Sequence, residues 1–303
     1  MAPPRVLVLP DGRRLAVDDV GDPEGLPVIY LHGTPDSRLA RHPDDGVAAA
    51  CGARLLAVDR PGAGDSDLQP EASLRSLGND LAHALDILGI ERAALLGWSS
   101  GGLFALAAAT VLGDRVLALS LVGTVPPVEA YAERDLVAAL GPARRPFVEL
   151  AAELSPRELA LELAPYLVPW PLTPALALDH VLEAAGEWGR VELAQVRGAA
   201  EQLARALAAS VQAGVDGLVH DIELQLEPGL ELSGLRAPLR SIHGADDGMS
   251  PPSVGDWLAR RVPHATVDVI PGAGHHLLFS RWASILEHLV EDAQFHRSVP
   301  AGC

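Results

Sequence analysis

A chain of 303 residues, 49% hydrophobic and 21% charged, holds enough apolar material for one large domain or a core with an inserted subdomain, and its composition is neither disordered nor fibrous. The net charge of −17 repels phosphate backbones and argues against a nucleic-acid partner. Arginine supplies every Lys/Arg-type cation, and the absence of lysine excludes a Schiff-base lysine, a Ser-Lys dyad and a P-loop.

The first apolar run, Val6 to Leu9, is too short for a signal-peptide core. Arg5–Leu9 and Arg14–Asp19 flank Pro10-Asp11-Gly12-Arg13 and read as a hairpin. Val28–Leu31 is a short apolar strand that runs into the loop His32-Gly33-Thr34-Pro35, and Arg54–Asp59 is the next strand, ending in Arg60-Pro61-Gly62-Ala63-Gly64. Leu74, Leu77, Leu81, Leu85 and Leu88 form one helical stripe, with Ser73 as N-cap and Gly89 as stop. The two cysteines, Cys51 and Cys303, are far apart and make neither a disulfide framework nor a zinc pattern, which reads as a reduced, cytoplasmic chain.

Ala93 to Leu112 is nearly charge-free and about long enough to span a bilayer. Its middle, however, carries Gly97, Ser99, Ser100, Gly101 and Gly102, so a buried strand (Ala93–Leu96), a tight turn and a buried helix (Ser100–Leu112) explain it better than a membrane span. Gly97-Trp98-Ser99-Ser100-Gly101 in that setting is a G-x-S-x-G turn. A strand that turns at once into a helix forces the central residue into strained backbone angles, and side chains two positions away would collide. The turn exposes the Ser99 hydroxyl as a nucleophile and aims the Ser100 N–H at a substrate oxygen.

After the strand Val116–Val122, helical signals run from Val125 to about Leu232 without a clear strand; Leu193, Val196, Ala200, Leu203, Leu207 and Val211 form one stripe there. Strand and helix then alternate again: Leu239–His243, Ser253–Arg261, Ala265–Ile270, and a last helix from about His276 to Phe295. This organisation implies an α/β core from 1–124 and 233–303, with a mostly parallel sheet covered by helices, and a helical insert at 125–232. The insert carries Tyr131, Phe147, Tyr166, Trp170 and Trp188, as either pocket lining or ordinary packing.

A serine hydroxyl needs a general base, and the base an orienting acid. The two late strands end in Gly244-Ala245-Asp246-Asp247-Gly248 and Gly272-Ala273-Gly274-His275-His276, on the sheet edge where the Ser99 turn lies. The residues alone leave Asp246 or Asp247, and His275 or His276. The histidine pair has no H-E-x-x-H, C-x-x-C or ligand-spaced carboxylate beside it, so no metal is expected.

The set His32-Gly33-Thr34-Pro35, Asp59 to Ser66, the Ser99 turn, Gly244-Ala245-Asp246-Asp247 and Gly274-His275 resembles the α/β-hydrolase superfamily over nearly the full length, the insert matching its cap. The resemblance implies Asp247 as the acid, His275 as the base, Thr34 and Ser100 as oxyanion donors, and structural roles for His32, the Asp59–Ser66 turn and Arg60. The loop is neither His-Gly-Gly-Gly nor His-Gly-Gly-Pro-Gly, and the nucleophile position is serine, not aspartate. The hormone-sensitive-lipase type, proline iminopeptidases, haloalkane dehalogenases and epoxide hydrolases are therefore poorer matches.

The function expected from this reading is hydrolysis of a small or medium carboxylic ester with an apolar acyl or ring portion, through an acyl-enzyme on Ser99. The expected partner is a small-molecule substrate, with no cofactor, metal, nucleic acid or membrane. Carbon–carbon, thioester or perhydrolase chemistry on the same triad stays open, as do a triad-retaining receptor and a biosynthetic cyclase, because fold does not choose among them. The sequence leaves the oligomeric state open.

Overall fold

The computed structural model describes residues 3–142, 144–169, 172–262 and 264–298. Trp170 and Cys303 lie outside them. Eight strands form one sheet: β1 (Arg5–Val8), β2 (Arg14–Gly21), β3 (Leu26–Leu31), β4 (Ala53–Val58), β5 (Ala93–Trp98), β6 (Val116–Val122), β7 (Leu239–Gly244) and β8 (Ala265–Ile270), in the order β1-β2-β4-β3-β5-β6-β7-β8. β1 and β2 form the expected hairpin and β2 runs antiparallel to β4; every other pairing is parallel. β5 and β6 are buried along their whole length, as their continuous apolar runs require of strands covered on both faces.

Successive side chains of a strand face opposite ways, and the sheet divides its apolar residues accordingly. Ile29 and Leu31 join α2 (Leu74–Leu88), α3 (Ser100–Leu112) and α11 (Pro252–Ala259) in one core. Val28 and Tyr30 join α1 (Gly46–Ala50) and α13 (Trp282–Ser298) in the other. Helix α2 begins and ends where its caps dictate. Ser73 and Ser76 bond reciprocally at its start, and Gly89 closes it in the left-handed region at φ 67°.

Between β6 and β7 lie α4 (Arg134–Ala139), α5 (Arg145–Ala151), α6 (Pro156–Leu167), α7 (Pro174–Ala184), α8 (Gly186–Ala194), α9 (Ala199–Ser210) and α10 (Asp216–Leu224), with no strand among the described residues. Most of their apolar side chains merge with the core on the α13 side of the sheet, whereas Leu136 of α4 joins the other core. Two helices run differently from their sequence pattern. The stripe from Leu193 to Val211 is broken at Gly198, whose φ of 82° no helix interior tolerates, so α8 and α9 are separate. The last helix is split at Arg281 into α12 (Leu277–Ser280) and α13. No described helix is long and apolar enough to cross a membrane; Ala93 to Leu112 is β5, the turn and α3.

Candidate active site

Ser99 sits between β5 and α3 with φ 55° and ψ −126°, the one non-glycine residue of the described chain at positive φ. Such a conformation costs roughly 1–3 kcal/mol and persists because the surroundings dictate it. Its N–H donates to Val122 O at 3.0 Å, and its carbonyl accepts from Val125 N at 3.2 Å. The flanking glycines are obligatory for different reasons. A Cβ on Gly97 would lie 2.6 Å from Gly102 Cα, whereas one on Gly101 would strike the Leu31 and His32 carbonyls at the end of β3. Gly101 therefore lets α3 start directly against the neighbouring strand.

The loops after β7 and β8 deliver the partners. His275 Nε2 lies 3.0 Å from Ser99 Oγ, and His275 Nδ1 lies 2.8 Å from Asp247 Oδ2. Asp247 is buried, and its other oxygen accepts the N–H groups of Met249 and Ser250, both at 2.8 Å. Burial works against its charge, but the imidazole facing it and these amides outweigh that, and its pKa is lowered. Burial likewise opposes a charged His275, yet the Asp247 charge and hydrogen bond prevail and hold its pKa above the ordinary value. Asp246 is exposed. His276 is packed on Trp98 and His275, and burial, then the neighbouring His275, pushes its pKa down to about 3. The geometry thus joins Ser99, His275 and Asp247 and leaves the alternatives Asp246 and His276 apart.

The backbone of the His275 loop is held by groups the sequence did not single out. Trp98 Nε1 donates to the His275 carbonyl at 3.0 Å. Glu192, on α8 of the insert and 2% exposed, accepts from Gly274 N at 2.7 Å and His276 N at 2.9 Å, so its carboxylate straddles the histidine. Burial raises the Glu192 pKa against those amides.

Thr34 and Ser100 also come together: their hydroxyls are 2.6 Å apart. The Thr34 hydroxyl is fully engaged. It donates to Asp221 on α10 and accepts from Gln225 Nε2 at 3.1 Å and Arg60 Nη2 at 3.2 Å, so it is not a spare donor for substrate. Neither backbone N–H, of Thr34 or of Ser100, is spent on an acceptor among the described residues. Arg60 braces the loop from below. It grips Asp221 through Nε at 2.7 Å and Nη2 at 2.9 Å, donates to the His32 and Gly33 carbonyls, and lies over the Phe104 ring at 4.4 Å. Burial keeps His32 neutral, which fits its Nδ1–H donating to Gly33 O at 2.8 Å and its Nε2 accepting from Arg60 N at 3.3 Å. Asp59 is buried under Arg38 N at 2.7 Å and Asp65 N at 2.9 Å, which shapes the turn from Asp59 to Ser66.

Asp36 closes the same loop. It is 9% exposed and accepts no hydrogen bond from a described residue, and burial pushes its pKa up to about 7 against the pull of Arg60 and His275. A methyl group placed on Gly33 would meet Asp36 Oδ2 at 3.1 Å and Ser99 Cβ at 3.2 Å, which sets the carboxyl just across Gly33 from Ser99. It lines, with Thr34, Arg60, Leu218 and Asp221, a small cavity of about 10 Å³ between the loop and the insert.

Of the aromatics in the insert, Phe147 is buried and packs with Tyr131 at 6.3 Å, whereas Tyr166 is 78% exposed and Trp188 partly so. Glu192 and Asp221 carried a readable signal. Each is a carboxylate on an otherwise buried stripe, Gly189-Glu192-Leu193 in α8 and Leu218-Asp221-Ile222-Gln225 in α10, where a charge needs a partner. Among the described residues no three His, Cys, Asp or Glu side chains gather as a metal site.

Residues 27–281 match the family described as alpha/beta hydrolase fold. Over 268 residues the chain is 29% identical to the dihydrolipoyllysine-residue acetyltransferase component of the acetoin cleaving system of Pseudomonas putida, covering 87% of this chain but only 62% of that protein. It is 27% identical to the pimeloyl-[acyl-carrier protein] methyl ester esterase of Neisseria meningitidis serogroup B over 92% of this chain and 95% of that one. Among solved structures, the esterase RhEst1 from Rhodococcus sp. ECU1013 superposes with a TM-score of 0.64 at 25% identity, covering 99% of this chain and 100% of that one.

Proposed function

The chain belongs to the α/β-hydrolase family, and from that premise we propose that it hydrolyses carboxylic esters through a covalent acyl-enzyme on Ser99. The observation that carries the reading is the relay of Ser99 Oγ, His275 Nε2 and Nδ1, and Asp247 Oδ2 over two hydrogen bonds of 3.0 and 2.8 Å. In it Ser99 donates its proton to His275 while Oγ bonds to the carbonyl carbon, and Asp247 stabilises the imidazolium that forms. The carbonyl oxygen becomes an anion held by the Ser100 and Thr34 N–H groups. The tetrahedral adduct collapses, His275 returns the proton to the departing alkoxide, and an alcohol leaves. Water then attacks the acyl-enzyme with His275 as base, releasing the acid and restoring Ser99.

The test is labelling with a fluorophosphonate probe and turnover of p-nitrophenyl esters of rising acyl length, on the parent chain and Ser99→Ala. The expected result is labelling and ester cleavage by the parent alone, with a loss on the order of 10⁴-fold or more in the variant. An unlabelled parent refutes Ser99 as nucleophile. A labelled parent that cleaves no ester refutes the ester reading and leaves the other triad chemistries.

A further inference from the structure

Four arginines are buried among the described residues: Arg38, Arg41, Arg60 and Arg144. Three of them sit on carboxylates. Arg38 meets Asp18, Asp59 and Asp65, Arg41 meets Asp18 and Asp45, and Arg60 meets Asp221. Arg144, 8% exposed, meets none. Its Nη2 donates to the Tyr131 hydroxyl at 2.6 Å, and its guanidinium lies 3.8 Å from the Phe147 ring centroid and 5.9 Å from that of Tyr131. Its Nε is enclosed without a hydrogen-bond partner, and its Nη1 donates to no described residue. Stacking on aromatic faces satisfies the flat side of a guanidinium and leaves its in-plane N–H groups, the ones that match a carboxylate, unspent.

Its position ties this cation to the reaction centre. Arg144 N donates to Gly141 O at 3.1 Å, and Gly141 N in turn donates to Gly248 O at 2.7 Å, one residue beyond Asp247. A Cβ on Gly141 would come within 2.9 Å of Gly248 O, so the insert is packed tightly onto the acid loop here. The charge of Arg144 is felt at His275, where it acts against the imidazolium that Asp247 and Glu192 favour.

We propose that Arg144 anchors a free carboxylate of the substrate, so that the ester cleaved is a half-ester of a dicarboxylic acid, one carboxyl esterified at Ser99 and the other ionised at the guanidinium. This rests on the ester-hydrolase reading above. A buried cation without a counter-ion is costly, and a ligand carboxylate that supplies two parallel acceptors relieves that cost where water-facing arginines would gain little. Uncharged esters of the same length leave Arg144 unpaired and bind less well.

The experiment compares monomethyl and dimethyl esters of a dicarboxylic series from succinate to azelate, in the parent, Arg144→Gln and Arg144→Lys. The parent is expected to favour the half-ester at one chain length. Arg144→Gln is expected to lose at least about 30-fold in kcat/KM on that half-ester, mainly through KM, with the diester changed by less than about threefold. Arg144→Lys keeps the charge but not the fork and is expected to fall between them; if the glutamine variant does not fold, the lysine variant decides. Equal losses on both esters, or a parent that prefers diesters at every length, overturn the anchor. Binding of the free diacids, read as a rise in Tm, separates this from the parent reading. A rise in the parent that Arg144→Gln abolishes, without turnover of any ester, upholds the anchor and refutes ester hydrolysis. Ester turnover without half-ester preference and without a diacid-induced rise does the reverse.

Discussion

Replacing Asp36 by asparagine removes a carboxyl that the fold holds protonated far above its ordinary range while leaving a side chain of the same shape. Burial lifts its pKa from 3.8 to about 7, with Asp221 adding to the lift and Arg60 and His275 opposing it. Between those two values the native chain keeps a proton that the unfolded chain has released, so stability falls as pH rises. Each pH step in that interval is worth about 1.4 kcal/mol, so this one group withdraws about 4 kcal/mol between pH 4 and pH 7. Asparagine does not titrate. The variant is therefore expected to match the parent near pH 4 and to exceed it by about 4 kcal/mol at pH 8, or roughly 6 °C in Tm for a chain of this size. Thermal unfolding of both proteins at pH 4, 6 and 8 reads the difference directly, because all other titrating groups are common to them. A gap that stays constant with pH would show that Asp36 is ionised throughout, and the argument from burial would be wrong.

Three further outcomes follow from the loops around Ser99, His275 and Asp247. His275 must be neutral to accept the Ser99 proton, and its pKa is raised, so kcat/KM is expected to fall on the acid side from a pH above the ordinary histidine value. Glu192→Gln removes one of the charges that raise it, and should move that limb to lower pH while reducing kcat; an unmoved limb would mean Glu192 only braces the backbone. Asp221→Asn strips the carboxylate from a buried Arg60 and from the Thr34 hydroxyl. A stability loss of about 3–5 kcal/mol is expected in denaturant unfolding, together with a fall in kcat as the Thr34 loop loosens, and a change below about 1 kcal/mol would contradict a buried pairing.

The fold was legible wherever a local rule governs a local outcome. Apolar runs bounded by turn residues gave all eight strands to within a few residues, and Ser73 and Gly89 marked α2 because caps act over one turn. Gly97 of the Ser99 turn was legible for the same reason, being demanded by Gly101 and Gly102 a few residues away, whereas Gly101 answers to Leu31 and His32 on the neighbouring strand. What was not legible depends on long-range pairing. The stripe from Leu193 to Val211 looks continuous because Gly198 interrupts the backbone without interrupting the apolar face. Arg60 read as a structural ion-pair partner, but its carboxylate is 161 residues away on α10. Asp36 and Arg144 are ordinary polar letters in loops, and their burial follows only from how the insert packs on the sheet edge.

The insert touches each loop of the site through a different short segment. Gly141 bonds Gly248 beside Asp247, Glu192 bonds the amides on either side of His275, and Asp221 bonds Thr34 in the loop after β3. Helical inserts on such a sheet invite exchange between relatives to change substrate range, with the crossover points placed in the two connecting strands. In this chain such a graft would carry over an undamaged sheet and an undamaged Ser99 turn, yet deliver three loops with their braces cut. A workable chimaera has to transplant these seam residues with the loops they hold, so the unit of exchange is the insert together with its three footings, not the sequence between two boundaries.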